Sequence, residues 1–265
     1  MKVFISSDIE GTCGICHWDE TEPGKSGYEY FRNLMSKEVL SVCKGINHYD
    51  GSEIIIKDAH DTARNLDISI FPENTRVIRG WTRDPYIMMS GIDKSYDASI
   101  FTGYHSGGGS NGSPLSHTMS GSTITYMKIN DIPASEFLMN YYTSLYFSVP
   151  VVMVSGDKAL CKSVNEIDEK IHTVTAYESK GNAVISNHPS VINKKLESEA
   201  MASLKDLKKY NTKLPGKFKV ELCFRQHYMA YRASFYNGVK QIDDMTVLFE
   251  TEDYLEFLKM FFFTT

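Results

Sequence analysis

The chain has 265 residues, 42% hydrophobic and 23% charged, enough apolar material for one substantial core or for a main domain with a smaller companion. Its 33 acidic and 28 basic residues give a formal net charge of −5 without a long single-sign run. A disordered chain is excluded, and nothing marks a nucleic-acid or anionic-membrane partner; a small or neutral substrate fits better.

Met1 and Lys2 lead straight into Val3-Phe4-Ile5, and Asp8 and Glu10 stop the apolar run before it reaches signal-peptide length. The chain is therefore expected in the cytoplasm. Lys2 to Ser7 reads as a first strand, and a turn-rich stretch with Gly11, Gly14, Pro23 and Gly24 follows it. A helix is predicted from about Tyr28 to Ile46, where Phe31, Leu34, Met35, Val39, Leu40 and Val42 recur at helical spacing. Strands are predicted at Glu53 to Lys57, Thr75 to Ile78, Ala98 to Thr102 and Ser122 to Ile129. A helix from Ala134 to Phe147 then leads to a buried strand at Val149 to Val154. Strands separated by helix-length segments predict an α/β fold, a mostly parallel sheet flanked by helices, over residues 1–160.

Beyond Asp157 the texture changes. Charged helical stretches at Lys162 to Ile171 and Ser190 to Lys209, a break at Pro215-Gly216, a strand at Lys217 to Phe224 and a closing strand and helix from Asp244 to Phe263 predict a smaller α+β part over residues 161–265. The apolar tail Leu258 to Phe263 is broken by Lys259 and falls short of the roughly 20 residues a membrane span needs. The Gly/Ser-rich patch Ser106 to Ser113 reads as a mobile loop by composition; no Gly-Lys-Ser/Thr follows it, so it is not a phosphate loop. Five cysteines at irregular spacing in a chain without an export signal predict reduced thiols. Cys13-Gly14-Ile15-Cys16-His17 matches a haem-attachment pattern, but it lies in a turn of a chain expected in the cytoplasm and is read as incidental.

The informative pattern is where polar residues fall relative to the strands. The first strand ends in Asp8 with Glu10 two residues on, the second in Asp58-Ala59-His60, and the strand from Ala98 in Gly103-Tyr104-His105. Ligands of open parallel sheets bind outside the carboxyl ends of the strands, so these side chains converge if the strands are neighbours. Any one of them alone would equally be a helix cap, a loop residue or a satisfied core histidine. Together they form a mixed carboxylate and imidazole set that suits zinc, manganese or cobalt, with no thiolates to mark a structural site. Glu136 begins a polar stripe with Asn140 and Ser144 on a helix otherwise faced by Phe137, Leu138, Tyr141 and Leu145. A carboxylate on a largely buried helix needs a partner.

These blocks resemble those of the zinc-dependent D-aminopeptidases of the dipeptide-transport-operon type. Ser6-x-Asp8-x-Glu10-Gly11, Asp58-Ala59-His60, Gly103-Tyr104-His105, Ser116-His117-Thr118-Met119, Glu136 with Asn140, and Val149-Pro150-Val151 before Gly156-Asp157 stand in the family's order at similar spacing over residues 1–160. The resemblance implies two divalent ions, zinc, held by Asp8, Glu10, His60, His105 and Glu136 with Asp8 bridging, and His117 as the catalytic histidine. It also implies hydrolysis of short peptides or aminoacyl amides carrying D-residues, within a closed homo-oligomer of stacked pentameric rings. An amidase or esterase on another small substrate, and a non-catalytic metal-stabilised assembly protein, are the alternatives; a retained His117 favours catalysis.

Overall fold

The computed structural model describes residues 1–265. In chain order it contains β1 (Lys2–Ser7), α1 (Tyr28–Ile46), β2 (Glu53–Asp58), β3 (Thr75–Ile78), β4 (Ala98–Tyr104), β5 (Ile124–Ile129) and β6 (Ile132–Pro133). There follow α2 (Glu136–Tyr146), β7 (Val151–Asp157), α3 (Lys158–Ile167), β8 (His172–Lys180), β9 (Ala183–Ser186) and α4 (Pro189–Ser203). The chain closes with β10 (Phe218–Phe224), α5 (His227–Ala233), β11 (Val239–Gln241), β12 (Thr246–Thr251) and α6 (Tyr254–Thr264).

One sheet has the order β3-β2-β1-β4-β7-β8-β9 and is parallel except for β9; the other, β11-β12-β10-β5-β6, is antiparallel. The α/β class predicted from the strand and helix pattern is the fold observed. Within the first sheet β1 lies between β2 and β4 and carries Val3, Phe4 and Ile5 with no solvent exposure. A strand covered on both faces needs an uninterrupted apolar run, which is what Val3-Phe4-Ile5 supplies. The chain starts at β1, moves outward through β2 and β3, then returns to pair β4 on the other side of β1. The strand order thus reverses between β1 and β4, and a crevice opens beyond their carboxyl ends.

Neither sheet stops near residue 160. β8 and β9 extend the first sheet, with Val154 of β7 opposite Thr173 of β8, while β5 and β6 belong to the second. α4 packs on α1, where the Tyr49 hydroxyl donates to the Met201 carbonyl at 2.8 Å. One continuous apolar cluster runs from Val3 through Phe137 to Phe218 and Phe257. Helix α2 joins the layers. Residues Glu136 to Leu145 are all buried, Tyr142 meets Phe218 edge to face, and the Tyr254 hydroxyl donates to the Met139 carbonyl at 2.6 Å. A helix apolar around most of its circumference is stable only when enclosed, and each large apolar side chain it buries contributes about 1.5–3 kcal/mol.

Two local expectations change. The helix expected at Lys162 to Ile171 starts earlier, at Lys158, because the Asp157 carboxylate caps it by accepting from the Leu160 amide at 2.9 Å. The helix ends at Ile167, short of the expected Ile171, and β8 follows at His172–Lys180. The patch Ser106 to Ser113 is pinned at both ends: Ser106 donates through its amide and hydroxyl to Asp157, both at 2.6 Å, and the Ser113 hydroxyl meets the Tyr177 hydroxyl at 2.8 Å. A Cβ on Gly112 would sit 2.1 Å from Ser106 Oγ, so close packing demands that glycine, and only Gly109 to Asn111 are exposed.

Glu38 of α1 is buried and accepts from the Cys13 amide at 2.9 Å, its second oxygen unpartnered. Burial pushes its carboxyl from an ordinary 4.5 up to about 8. The folded state therefore keeps a proton that the unfolded chain releases, and the associated stability is full below pH 4.5 and lost as pH rises through about 8. Glu38→Gln should be close to the parent in stability at pH 5 and more stable by at least about 1 kcal/mol at pH 8.5. Denaturant melts at the two pH values check this; parallel pH profiles for both proteins would contradict it.

Candidate metal centre

The strand order places Asp8, His60 and His105 at the carboxyl ends of three adjacent strands, β1, β2 and β4 respectively. Beyond Ser7 the chain does not stay extended. It enters a turn fastened to β4, with the Asp8 amide donating to the Thr102 carbonyl and the Gly11 amide to the Gly103 carbonyl, both at 2.8 Å. The turn brings Glu10 back beside Asp8. A Cβ on Gly11 would lie 1.9 Å from the Tyr104 carbonyl oxygen, so the two strand ends approach this closely only because that residue is glycine. Gly11→Ala should force β1 and β4 apart, lower the stability by about 2–4 kcal/mol and weaken metal retention; unchanged melting and metal content would show the turn to be more plastic than its geometry implies.

His60 Nδ1 lies 3.3 Å from Asp8 Oδ1 and 3.1 Å from Glu10 Oε2. His105 Nε2 lies 3.4 Å from Asp8 Oδ2 and 3.3 Å from Glu136 Oε2. The result is two triads, Asp8-Glu10-His60 and Asp8-His105-Glu136, whose ligand-type atoms lie within 4.8 Å of one another and which share Asp8. All five side chains are buried. His117 stands beside them, with Nε2 at 3.5 Å from Glu136 Oε1 and 4.0 Å from Glu10 Oε1. Its ring stacks on His105 at 4.3 Å and meets the edge of Trp18 at 5.2 Å.

Each imidazole is oriented by a main-chain carbonyl. His60 Nε2 pairs with Thr21 O at 2.9 Å, His105 Nδ1 with Ser106 O at 3.0 Å and His117 Nδ1 with Leu115 O at 2.9 Å. A carbonyl only accepts, so the nitrogen facing it carries hydrogen and the opposite nitrogen turns toward the carboxylates. That arrangement is the one that orients metal-binding imidazoles.

The electrostatics are those of an anionic cluster out of water. Burial, then the charge of Glu10, raises the Asp8 carboxyl to about 7. Burial disfavours the charge on Glu136 too, yet His105 holds it down at about 2, and His60 holds Glu10 well below its ordinary value. The two imidazoles are raised well above theirs, for burial is outweighed by Glu10 at His60 and by Glu136 at His105. Carboxylates this close require positive charge, from imidazolium or from a bound cation. Asp8 Oδ2, Glu10 Oε2 and His105 Nε2 are buried with no hydrogen-bond partner. Buried polar atoms without partners are rare, and this oxygen and nitrogen set suits a divalent ion, so the residues fit a metal.

The D-aminopeptidase family model matches residues 1–263. The chain belongs to that family. A D-aminopeptidase of Bacillus subtilis (strain 168) is 27% identical over 259 residues, 97% of this chain and 93% of the relative. The solved Zn-dependent D-aminopeptidase DppA from Bacillus subtilis, described as a self-compartmentalizing protease, superimposes with a TM-score of 0.92 at 25% identity, covering 100% of this chain and 96% of that one. The chain is accordingly a member of a family of metal-dependent peptidases.

Several supporting contacts of this family member escape a reading of strand ends. Asp58 accepts from the Asn65 amide at 2.6 Å and its side chain at 2.8 Å, and Asn65 donates to the His60 carbonyl at 2.7 Å, fixing the loop that carries His60. The Tyr177 hydroxyl donates to the Glu10 carbonyl at 2.8 Å from β8. Of the α2 polar stripe, Asn140 donates to the Tyr104 hydroxyl at 2.9 Å and Ser144 meets Ser99 at 2.7 Å. The stripe was visible in the sequence; its partners on β4 were not. The remaining histidines serve locally, His188 as the cap of α4 and His172 against Glu199 at 2.6 Å.

Proposed function

We propose that this chain is a two-metal D-aminopeptidase that hydrolyses short peptides or aminoacyl amides, with Asp8, Glu10, His60, His105 and Glu136 as ligands and His117 as the catalytic histidine. The sharing of Asp8 between two triads carries the reading, because a carboxylate with one oxygen directed into each could hold two ions at once. The donor set suits zinc, manganese or cobalt, and the Zn-dependent relative favours zinc among them. Bound there, two zinc ions would polarise the scissile carbonyl and lower the pKa of water.

The chain's own residues do the rest. The cleft over the triads has a volume of about 950 Å³, with Trp18, Trp81 and Met119 on its walls, room for a short peptide. His117 is the imidazole of the cluster most open to that cleft, with 12% of its side chain exposed. Its Nε2 faces the reaction centre, positioned to take a proton from the attacking water and hand it to the departing amine. The carbonyl of Leu115 and the rings of His105 and Trp18 keep it aimed there.

A closed homo-oligomer accompanies this activity. The relative described as self-compartmentalizing supports it, as do the exposed aromatics Tyr228 and Tyr231 on α5, Phe235 just beyond it and Phe263 at the end of α6. Of the apolar tail Leu258 to Phe263, Leu258, Met260 and Phe261 are buried in the core, which leaves Phe263 as its large exposed ring. Light scattering at micromolar concentration should give a multiple of the 30.0 kDa chain mass.

Zinc-loaded protein, offered D- and L-aminoacyl amides and short peptides, should cleave the D series and lose that activity to a chelator. Preference for the L series, or activity untouched by chelation, would overturn the assignment.

A further inference from the structure

Among all the residues lining the cleft over the triads, Arg225 is the one lysine or arginine. It follows β10 and is exposed, and its main chain is fixed by the amide donating to the Thr123 carbonyl at 2.9 Å. Arg32 and Arg76 pair with glutamates and Arg232 donates to the Thr264 carbonyl; of the arginines whose guanidinium makes no such contact, Arg225 is the one that lines the cleft. Thr123 closes the segment that begins at His117, so Arg225 stands on the His117 wall of the cleft. Two exposed carboxylates, Asp61 and Glu22, line the same cleft and flank His60: Asp61 follows it in sequence, and Glu22 follows Thr21, whose carbonyl pairs with the His60 ring. The exposed charges that line the cleft are thus two carboxylates beside His60 and one guanidinium on the segment that leads away from His117.

We propose that Arg225 is a specificity residue that takes the free α-carboxylate of the substrate, so that the enzyme prefers zwitterionic dipeptides, amine toward Asp61 and Glu22 and carboxylate toward Arg225. The inference deepens the aminopeptidase reading and rests on it. A guanidinium presents paired donors that match a carboxylate, an amide offers it no charge, and each added residue carries the carboxylate further from the scissile bond. Selection for short substrates then follows from charge as well as from access.

The test uses non-hydrolysable isosteres of D-alanyl-glycine, in which CH₂–NH replaces the peptide bond, as the free acid and as the carboxamide. Calorimetry on zinc-loaded wild type should show the acid binding at least about tenfold more tightly than the carboxamide. In Arg225→Gln the two should bind alike, and Arg225→Lys should restore part of the preference. With cleavable D-alanyl-glycine, Arg225→Gln should raise KM more than it lowers kcat. Equal binding of both isosteres to wild type, or a preference that survives in Arg225→Gln, would overturn the proposal. Tight, Arg225-dependent binding without turnover of the cleavable peptide would instead overturn the aminopeptidase reading and leave the carboxylate site standing.

Discussion

Asp8→Asn should abolish activity, lowering kcat/KM by about 10³-fold or more, and should remove at least one metal ion per chain. Asp8 directs Oδ1 toward His60 and Oδ2 toward His105. An asparagine keeps one oxygen and replaces the other with an amide nitrogen, a hydrogen-bond donor that cannot ligate, so one triad loses its shared member. The substitution should not unfold the protein. The Asp8 carboxyl is raised to about 7 by burial and by Glu10, so the metal-free fold gains from a neutral side chain there. Elemental analysis and thermal melts of the metal-free and loaded forms separate the effects. Full metal content in the variant would remove the bridging role, and a lower melting temperature in its metal-free form would contradict the electrostatic account.

His117→Ala should lower kcat by about 10²-fold or more while leaving metal content unchanged, the size expected of a lost proton-transfer group. The geometry sharpens this test, since the ligand-type atoms of His117, Glu10 and His105 lie close enough to form a triad of their own. A His117 that ligates would give up metal on replacement, as His60→Ala and His105→Ala should. A His117 that moves protons would spare the metal and lower kcat alone. Metal loss in His117→Ala would reassign it from proton transfer to ligation.

The site was legible where chemistry is written at strand ends. Asp8, His60 and His105 each follow an apolar run, and the strand order that makes those runs neighbours also makes the three side chains meet. Glu136 was legible as a carboxylate on an apolar helix, although its neighbours could not be read before α2 was found between the two sheets. The C-terminal half was less legible. β8 reads as a mixed polar strand because it lies near the sheet edge, where its burial is partial, and α4 carries only a narrow apolar stripe of Ile192, Leu196 and Ala200 for α1. Both therefore passed for a separate charged region. Ser122 to Ile129 gave a correct strand with the wrong neighbours, since alternation identifies a strand and says nothing of the sheet it joins. Arg225 gave no signal, because its place in the cleft depends on pairing between β10 and β5, residues about a hundred positions apart.

Anomalous diffraction at the zinc edge from crystals of the zinc-loaded protein tests the central claim most directly. Two peaks are predicted per chain, one among Asp8, Glu10 and His60 and one among Asp8, His105 and Glu136, with Asp8 between them. A single peak, or zinc bound elsewhere with these five side chains free of it, would contradict the two-metal centre.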